Sequence, residues 1–347
     1  MKILIPSEII PTSTHNVRSG NIVLFNIIQS FLKKGIKIEL VFLNINRNTN
    51  LKKIPNFSRN SNFKFSGEIR LNLNQDETFL QKFKKIFFPR ASELFPILNL
   101  TNQIKKKVET IKPDWIFLFW SEKLTHLFAN TNYNLFAYYG NPIPKNLSAH
   151  NLLLSKYKAN FYQRIIQRIY LFNVSRIHLN LMKNVNIIGN IAKNDALYYK
   201  NRGHKNSFYI QNTWFNKYSD KFIKKKIANF NLKDPIKIAA NLGKLNATAN
   251  TFGLIYLFEK LVPKLIKVFK DKKFELHLFG SEKPEDYIPN KYKYSEVKYR
   301  GFVDQIDEAL MDCPIFLCCN NATLYNVGHT RYLHAWTLGR CVIAHSN

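Results

Sequence analysis

Short unbroken apolar runs alternate along this chain with longer stretches whose apolar residues recur at helical spacing, the pattern of a parallel α/β sheet with crossover helices. Residues 3–5 predict a first strand, and a loop carrying Pro11, His15 and Arg18 leads to Gly20. Val23, Ile27 and Phe31, with Leu24, Ile28 and Leu32, then define a helix face that Gly35 stops, and residues 36–43 predict a second strand. Residues 44–90 are polar, Asn-rich and basic without a strong period, and read as irregular loops with a short strand near 69–73. Order resumes with a helix over 92–111, a buried-type strand at 115–120 and another at 135–139, ended by Gly140-Asn141-Pro142. Residues 152–183 have the spacing of one long helix, with Tyr157, Phe161, Ile165, Ile169 and Phe172 along one side. Strands at 185–188 and 208–210 complete the first half.

The architecture then begins again. Residues 216–235, with the charge run 221–226, read as a linker, and 236–240 predict a new first strand followed by Asn241-Leu242-Gly243-Lys244 and a helix from about 250. Strands follow at 274–279, 297–300 and 315–319, with a short helix around 305–311. The last pattern is a short helix on which Tyr332, Leu333, Trp336 and Leu338 recur, a stop at Gly339, and a strand over 342–344 read as buried. The expected fold is therefore α/β, two doubly wound Rossmann-like domains facing each other across a cleft, over residues 1–215 and 236–347.

Charge adds a partner class. Lys+Arg 52 against Asp+Glu 23 leaves +29, which attracts phosphate-bearing molecules: nucleic acid, anionic lipid or a phosphorylated substrate. Enrichment in Lys, Asn, Ile and Phe is also what a nucleotide bias in the gene produces, so charge alone selects no partner. Four cysteines, two of them adjacent at Cys318 and Cys319, form no C-x-x-C pair and read as reduced core residues of a cytosolic protein. The opening Met1-Lys2-Ile3-Leu4-Ile5-Pro6 is too short for a signal h-region, and no apolar run approaches the ~18 residues of a membrane span.

Candidate chemistry gathers at three places. The start of the last helix offers Thr330, Arg331 and unpaired backbone N–H groups, a combination that holds a phosphate. Gly20 and Asn141 sit at loop tips on the carboxyl ends of strands, where open α/β sheets bind ligands. Along 152–183, Lys156, Lys158, Arg164, Arg168 and Arg176 flank the apolar side, as an interfacial helix on an anionic membrane requires. The same interleaving of aromatics and cations, notably over 157–170, also suits single-stranded nucleic acid, although the positive charge is spread over the chain and not collected in one module.

From about residue 236 onward, the order of signals resembles the C-terminal half of GT-B glycosyltransferases of the group-1, family-4-like type. The matching pieces are the strand ending in Gly243-Lys244, a helix leading to a turn at Pro263, Glu275-Leu276-His277-Leu278-Phe279-Gly280, and Tyr299-Arg300-Gly301-Phe302-Val303-Asp304. Arg331-Tyr332-Leu333-His334-Ala335-Trp336 with Gly339 and the final strand completes the series. The resemblance implies transfer of a sugar from a nucleotide-sugar donor to a glycan or lipid-linked acceptor in cell-surface polysaccharide synthesis, at the cytoplasmic membrane face. The implied donor site comprises Gly243, Lys244 and Gly280, with Asn326, Gly328, Thr330 and Arg331 holding phosphates and sugar. Relatives carry two glutamates in this region, at positions occupied here by Asn326 and His334; the second grips the donor ribose, for which a histidine can offer a hydrogen bond. Lysine and helix start together would stabilise the leaving diphosphate without a metal ion or other cofactor. The acceptor would lie against the Gly20 and Asn141 loops, with His15 or Glu8 as general base if the anomeric centre inverts. Relatives continue beyond the strand that precedes Asn347, so the second domain is expected to be incomplete. Rival readings are a same-fold nucleotide-sugar epimerase and a basic nucleic-acid-binding protein.

Overall fold

The structure is a computed structural model and describes residues 1–12, 19–45, 57, 60–71, 78–90, 94, 101–139, 141–212, 214, 218–228, 235–240, 242–270, 272–319 and 330–344. The chain forms two compact units, Met1–Thr213 and Trp214–Asn347.

In the first unit the elements run β1 (Lys2–Ser7), α1 (Ser19–Lys33), β2 (Lys37–Ile45), β3 (Phe63–Leu71), α2 (Phe79–Phe87), α3 (Thr101–Ile111), β4 (Trp115–Phe119), α4 (Glu122–Phe128), β5 (Leu135–Tyr139), α5 (Ile143–Tyr157), α6 (Phe161–Met182), β6 (Ile187–Asn190), α7 (Lys193–Lys200) and β7 (Ser207–Tyr209). The strands pair in parallel in the order β3-β2-β1-β4-β5-β6-β7. Both faces are covered, which is why the central strands are apolar without alternation. In β4, Ile116 and Leu118 enter the core formed with α3 and α4, while Phe117 and Phe119 enter the core on the other side with Leu24 and Ile28 of α1. Lys2 ties the sheet's lower edge together: its backbone N–H donates to Asp114 Oδ2 (2.7 Å) and its Nζ reaches Glu39 Oε1 (2.8 Å).

Two expectations are corrected here. The third strand is nine residues long and starts at Phe63. Phe63, Phe65, Ile69 and Leu71 alternate in the sequence, but a bulge at Gly67, φ +102°, with a register shift opposite Leu40 and Phe42, sends Phe65 and Ile69 to different cores, so the strand does not keep one apolar face. The single helix expected over 152–183 is two helices. Lys158 leaves helical geometry, and Asn160 starts α6 with a capping box, its side chain accepting from Gln163 N–H (2.9 Å) while Gln163 Oε1 accepts from Asn160 N–H (3.0 Å). Replacing Asn160 by alanine is expected to cost about 1 kcal/mol, read as a lower urea midpoint with unchanged m-value.

The second unit contains α8 (Asp220–Ala228), β8 (Ile236–Ala240), α9 (Thr248–Tyr256), α10 (Val262–Val268), β9 (Phe274–Phe279), β10 (Val297–Gly301), α11 (Ile306–Met311), β11 (Ile315–Cys318), α12 (Arg331–Thr337) and β12 (Cys341–Ala344). Its parallel sheet has the order β10-β9-β8-β11-β12. A π-helical turn, Leu257–Leu261, joins α9 to α10, so the helix continues through Pro263 instead of turning there. Pro263 has no N–H to pair with the Glu259 carbonyl, and a widened turn just before it absorbs that loss. Residues 216–235, read as a linker, include α8, whose Ile223 and Ile227 lie within van der Waals reach of Gly339. On α12 the buried residues are His334 and Ala335, followed by Leu338, whereas Trp336 is exposed. The strand β12 is not buried: among the described residues it is the sheet edge, with Cys341 and Ile343 exposed, while Cys313, Cys318 and Cys319 lie in the interior.

Candidate functional site

Each sheet reverses its strand order once, between β1 and β4 in the first unit and between β8 and β11 in the second. A crevice opens at the carboxyl ends of the strands at such a point, because the crossover helices leave to opposite faces.

In the second unit the chain leaving β8 turns at Gly243, whose φ of +96° only glycine adopts without cost. This turn is held against the end of β9: Leu245 N–H donates to the Ser281 carbonyl (3.0 Å), and Gly280 N–H donates to the Gly301 carbonyl (2.8 Å). Gly280 faces the Gly243 carbonyl so closely that a side chain there has no room. Lys244, exposed, pairs with Glu282 (3.4 Å), an exposed contact that binding of an anion can replace at little cost.

Arg331, at the first position of α12, reaches the same turn. A Cβ on Gly243 would lie 3.8 Å from its Nη2, and its Nη1 donates to Asn250 Oδ1 (2.6 Å). Asn250 is buried, and its Nδ2 donates to the Lys244 carbonyl, so one amide orients both the guanidinium and the turn. Desolvation lowers the Arg331 pKa from its ordinary value. The helix itself has seven residues, so positive charge here rests on the arginine side chain more than on a helix dipole.

The structure thus brings together Gly243, Lys244, Gly280 and Arg331, with Thr330 preceding Arg331 at the helix N-cap. His334 is committed elsewhere. It is buried, its Nε2 lies 2.7 Å from Asp307 Oδ1, its ring packs on Trp214 at 5.2 Å, and Tyr218 donates to the other Asp307 oxygen (3.2 Å). Asn326 and Gly328 lie outside the described residues.

In the first unit Glu8 follows β1 and accepts a hydrogen bond from Ser121 Oγ (2.5 Å), which itself caps α4. Gly20 lies in the first turn of α1, but the space over it is filled: a Cβ would meet the Trp120 ring at 3.0 Å and Ile9 at 3.2 Å. Its smallness serves close packing of Trp120, not the approach of a ligand that the loop position suggested. Asn141 is half-buried just beyond β5, and His15 lies outside the described residues.

Two residues escaped the sequence reading. Asn250 sits among small polar residues in the first turn of α9, and only the fold brings it to Arg331. Glu122 follows Ser121 at the end of β4. Burial raises its carboxyl to about 8, against a partly offsetting hydrogen bond from the Ile143 backbone. Below it, His126 and His178 meet ring to ring (Nε2···Nδ1 3.0 Å), His178 continues to Tyr199 (2.9 Å), and burial drives both histidines to the neutral form, His178 to about 3. Among the described residues no three His, Cys, Asp or Glu side chains gather as a metal ion would need.

No family model matches the sequence, and no curated protein matches it. Solved structures match over nearly the whole chain. The trehalose-6-phosphate protein of E. coli bound with UDP-2-fluoro glucose has a TM-score of 0.54 at 10% identity, covering 96% of this chain and 82% of its own. The α,α-trehalose 6-phosphate synthase of Burkholderia multivorans has a TM-score of 0.55 at 8% identity, covering 99% and 83%. A glycosyltransferase from Rickettsia africae has a TM-score of 0.50 at 12% identity, covering 99% and 78%. The chain has the two-domain, Rossmann-like GT-B fold of these glycosyltransferases.

Proposed function

We propose that the protein transfers a sugar from a nucleotide-sugar donor to a hydroxyl of a glycan or lipid-linked acceptor, in the synthesis of a cell-surface polysaccharide. The observation that carries this reading is the Arg331 guanidinium, oriented by Asn250 against the Gly243-Lys244 turn where the second sheet reverses its strand order. Two cations beside a glycine turn suit a diphosphate: arginine binds two oxygens in a fork and lysine supplies a mobile point charge. As the glycosidic bond to the donor breaks, negative charge grows on the departing diphosphate, and Lys244 and Arg331 stabilise it without a metal. The E. coli neighbour's UDP-sugar ligand agrees with this donor class. On the first unit, Glu8 or His15 would take the acceptor proton if the anomeric centre inverts.

The test is a thermal-shift titration with uridine, guanosine and cytidine diphosphates and their sugars. One nucleotide class is expected to raise Tm selectively, and Arg331→Ala to weaken its binding about ten- to a hundredfold, the loss of a charged hydrogen-bonding group. Lys244→Ala is expected to weaken it less, because that side chain is exposed. A folded protein indifferent to every nucleotide would sink the donor assignment. Interconversion of the free nucleotide sugar without acceptor would favour an epimerase.

A further inference from the structure

The helix α2 buries none of its residues. Phe79 is 81% exposed and Leu80 69%, with Phe83 on the same side, a display that a surface helix with no other partner does not sustain. Asn173 of α6 holds the last turn of α2 by donating to the Ile86 carbonyl (2.8 Å), so α2 is fixed alongside α6. The first half of α6 is bare in the same way: Phe161 is 70% exposed and Phe172 67%, and the buried residues begin only at Asn173.

Cations share these rows. On α6, Phe161, Arg164, Ile165, Arg168 and Phe172 recur at i, i+3, i+4, i+7 and i+11, a single stripe, and Arg164 and Arg168 are exposed. On α2, Lys82 lies between Phe79 and Phe83 on one face, with Lys84 and Lys85 in the last turn. No Asp or Glu occurs on α2, α5 or α6, nor anywhere from residue 123 to 194.

We propose that the α2–α6 surface docks this protein on an anionic membrane. The occupant follows from the chemistry. Aromatic and aliphatic side chains partition into the headgroup and acyl boundary while Lys and Arg beside them reach lipid phosphates, each cation adding about fivefold to the binding. A second copy of the chain is disfavoured, since a two-fold interface would set this all-positive surface against itself. Nucleic acid matches the charge but not Leu80 and Ile165, which cannot stack on bases. The surface lies wholly within the first unit and is independent of the donor reading.

Flotation of the full chain with vesicles tests this. Binding is expected to phosphatidylcholine mixed with phosphatidylglycerol and not to phosphatidylcholine alone, and to weaken as salt rises. Phe79→Ser with Phe161→Ser is expected to weaken binding by about tenfold or more, and Arg164→Glu with Arg168→Glu by at least about 25-fold. Because these side chains are exposed, Tm and the nucleotide response are expected to stay unchanged. Absence of binding to the anionic vesicles overturns the proposal, as does binding that the four substitutions leave intact. Displacement of the protein from vesicles by an oligonucleotide at equal phosphate concentration overturns it in favour of nucleic acid, and a dimer in solution abolished by the same substitutions overturns it in favour of self-association.

Discussion

Gly280→Ala is expected to be among the most damaging single-methyl changes in the chain. The added Cβ would fall on the Gly243 carbonyl oxygen, with the Gly243 carbonyl carbon at 3.0 Å and Leu245 Cδ2 at 3.2 Å. A side chain in the way can rotate, but here the obstacle is backbone, and both segments are pinned: Gly280 N–H to Gly301, Leu245 N–H to Ser281. The loss should reach or exceed the upper end of the ~1–3 kcal/mol that overpacking costs. Relief requires the Gly243-Lys244 turn to move away from Gly280 and thereby to change its place beside Arg331, so residual folded protein should also lose its nucleotide response. Gly301→Ala supplies the comparison. Gly301 has φ +69° with nothing within 4 Å of its Cβ position, so that change carries only the backbone cost of about 1–2 kcal/mol. Urea unfolding of both variants, with thermal shift on each, separates the two effects; equal destabilisation would refute the steric account.

Stability is expected to peak near neutral-to-slightly-acid pH and fall on both sides, for reasons located in the first unit. On the acid side, His126 and His178 are buried neutral, with folded pKa values pushed below the usual 6.5. Below pH 6.5 the unfolded chain binds protons that the folded chain refuses, so stability drops as pH falls, each histidine contributing up to about 1.4 kcal/mol per pH unit. His204 and His277 are shifted the same way by burial. On the alkaline side the folded Glu122 holds its proton to about 8, while in the unfolded chain it loses it near the ordinary 4.5. Stability therefore falls as pH rises through that window. Asp195, raised by burial beside Lys145, acts in the same direction above its ordinary 3.8. Between 4.5 and 6.5 the histidines outweigh the carboxyls; above 6.5 the carboxyl effect stands alone. Glu122→Gln is expected to flatten the fall between about pH 6.5 and 8 and to leave the acid limb in place. Unfolding free energies across that range decide it, and an unchanged alkaline limb in the variant would show that Glu122 ionises freely.

The strands were legible because most are buried on both faces, and burial on both faces demands an unbroken apolar run that flanking Gly, Pro and polar residues delimit. Residues 115–119, 135–139, 236–240 and 274–279 all read correctly for this reason. Where a strand met solvent or a bulge the reading slipped. The apolar residues of β3 change face at the Gly67 bulge, and β12 is as apolar as a core strand yet lies at the sheet edge among the described residues. The helix α2 has a helical period of its own, with Phe79, Leu80, Phe83, Ile86 and Phe87 on one side, but it is short and set among polar, Asn-rich residues, and the reading of 44–90 as irregular passed over it.

Sequence alone determined the alternation of strand and helix, its restart at residue 236, and a turn at Gly243, since each depends on local spacing and on what a backbone position tolerates. Only the tertiary structure decided which polar groups meet. Asn250 and Arg331 are 81 positions apart, and His334 and Asp307 are 27 apart; both pairs meet through packing that local spacing does not encode. The same holds for Trp120 filling the space over Gly20. A hydrogen bond needs partners within about 3 Å, and for residues distant in sequence that proximity is a property of strand order and packing, not of the residues themselves.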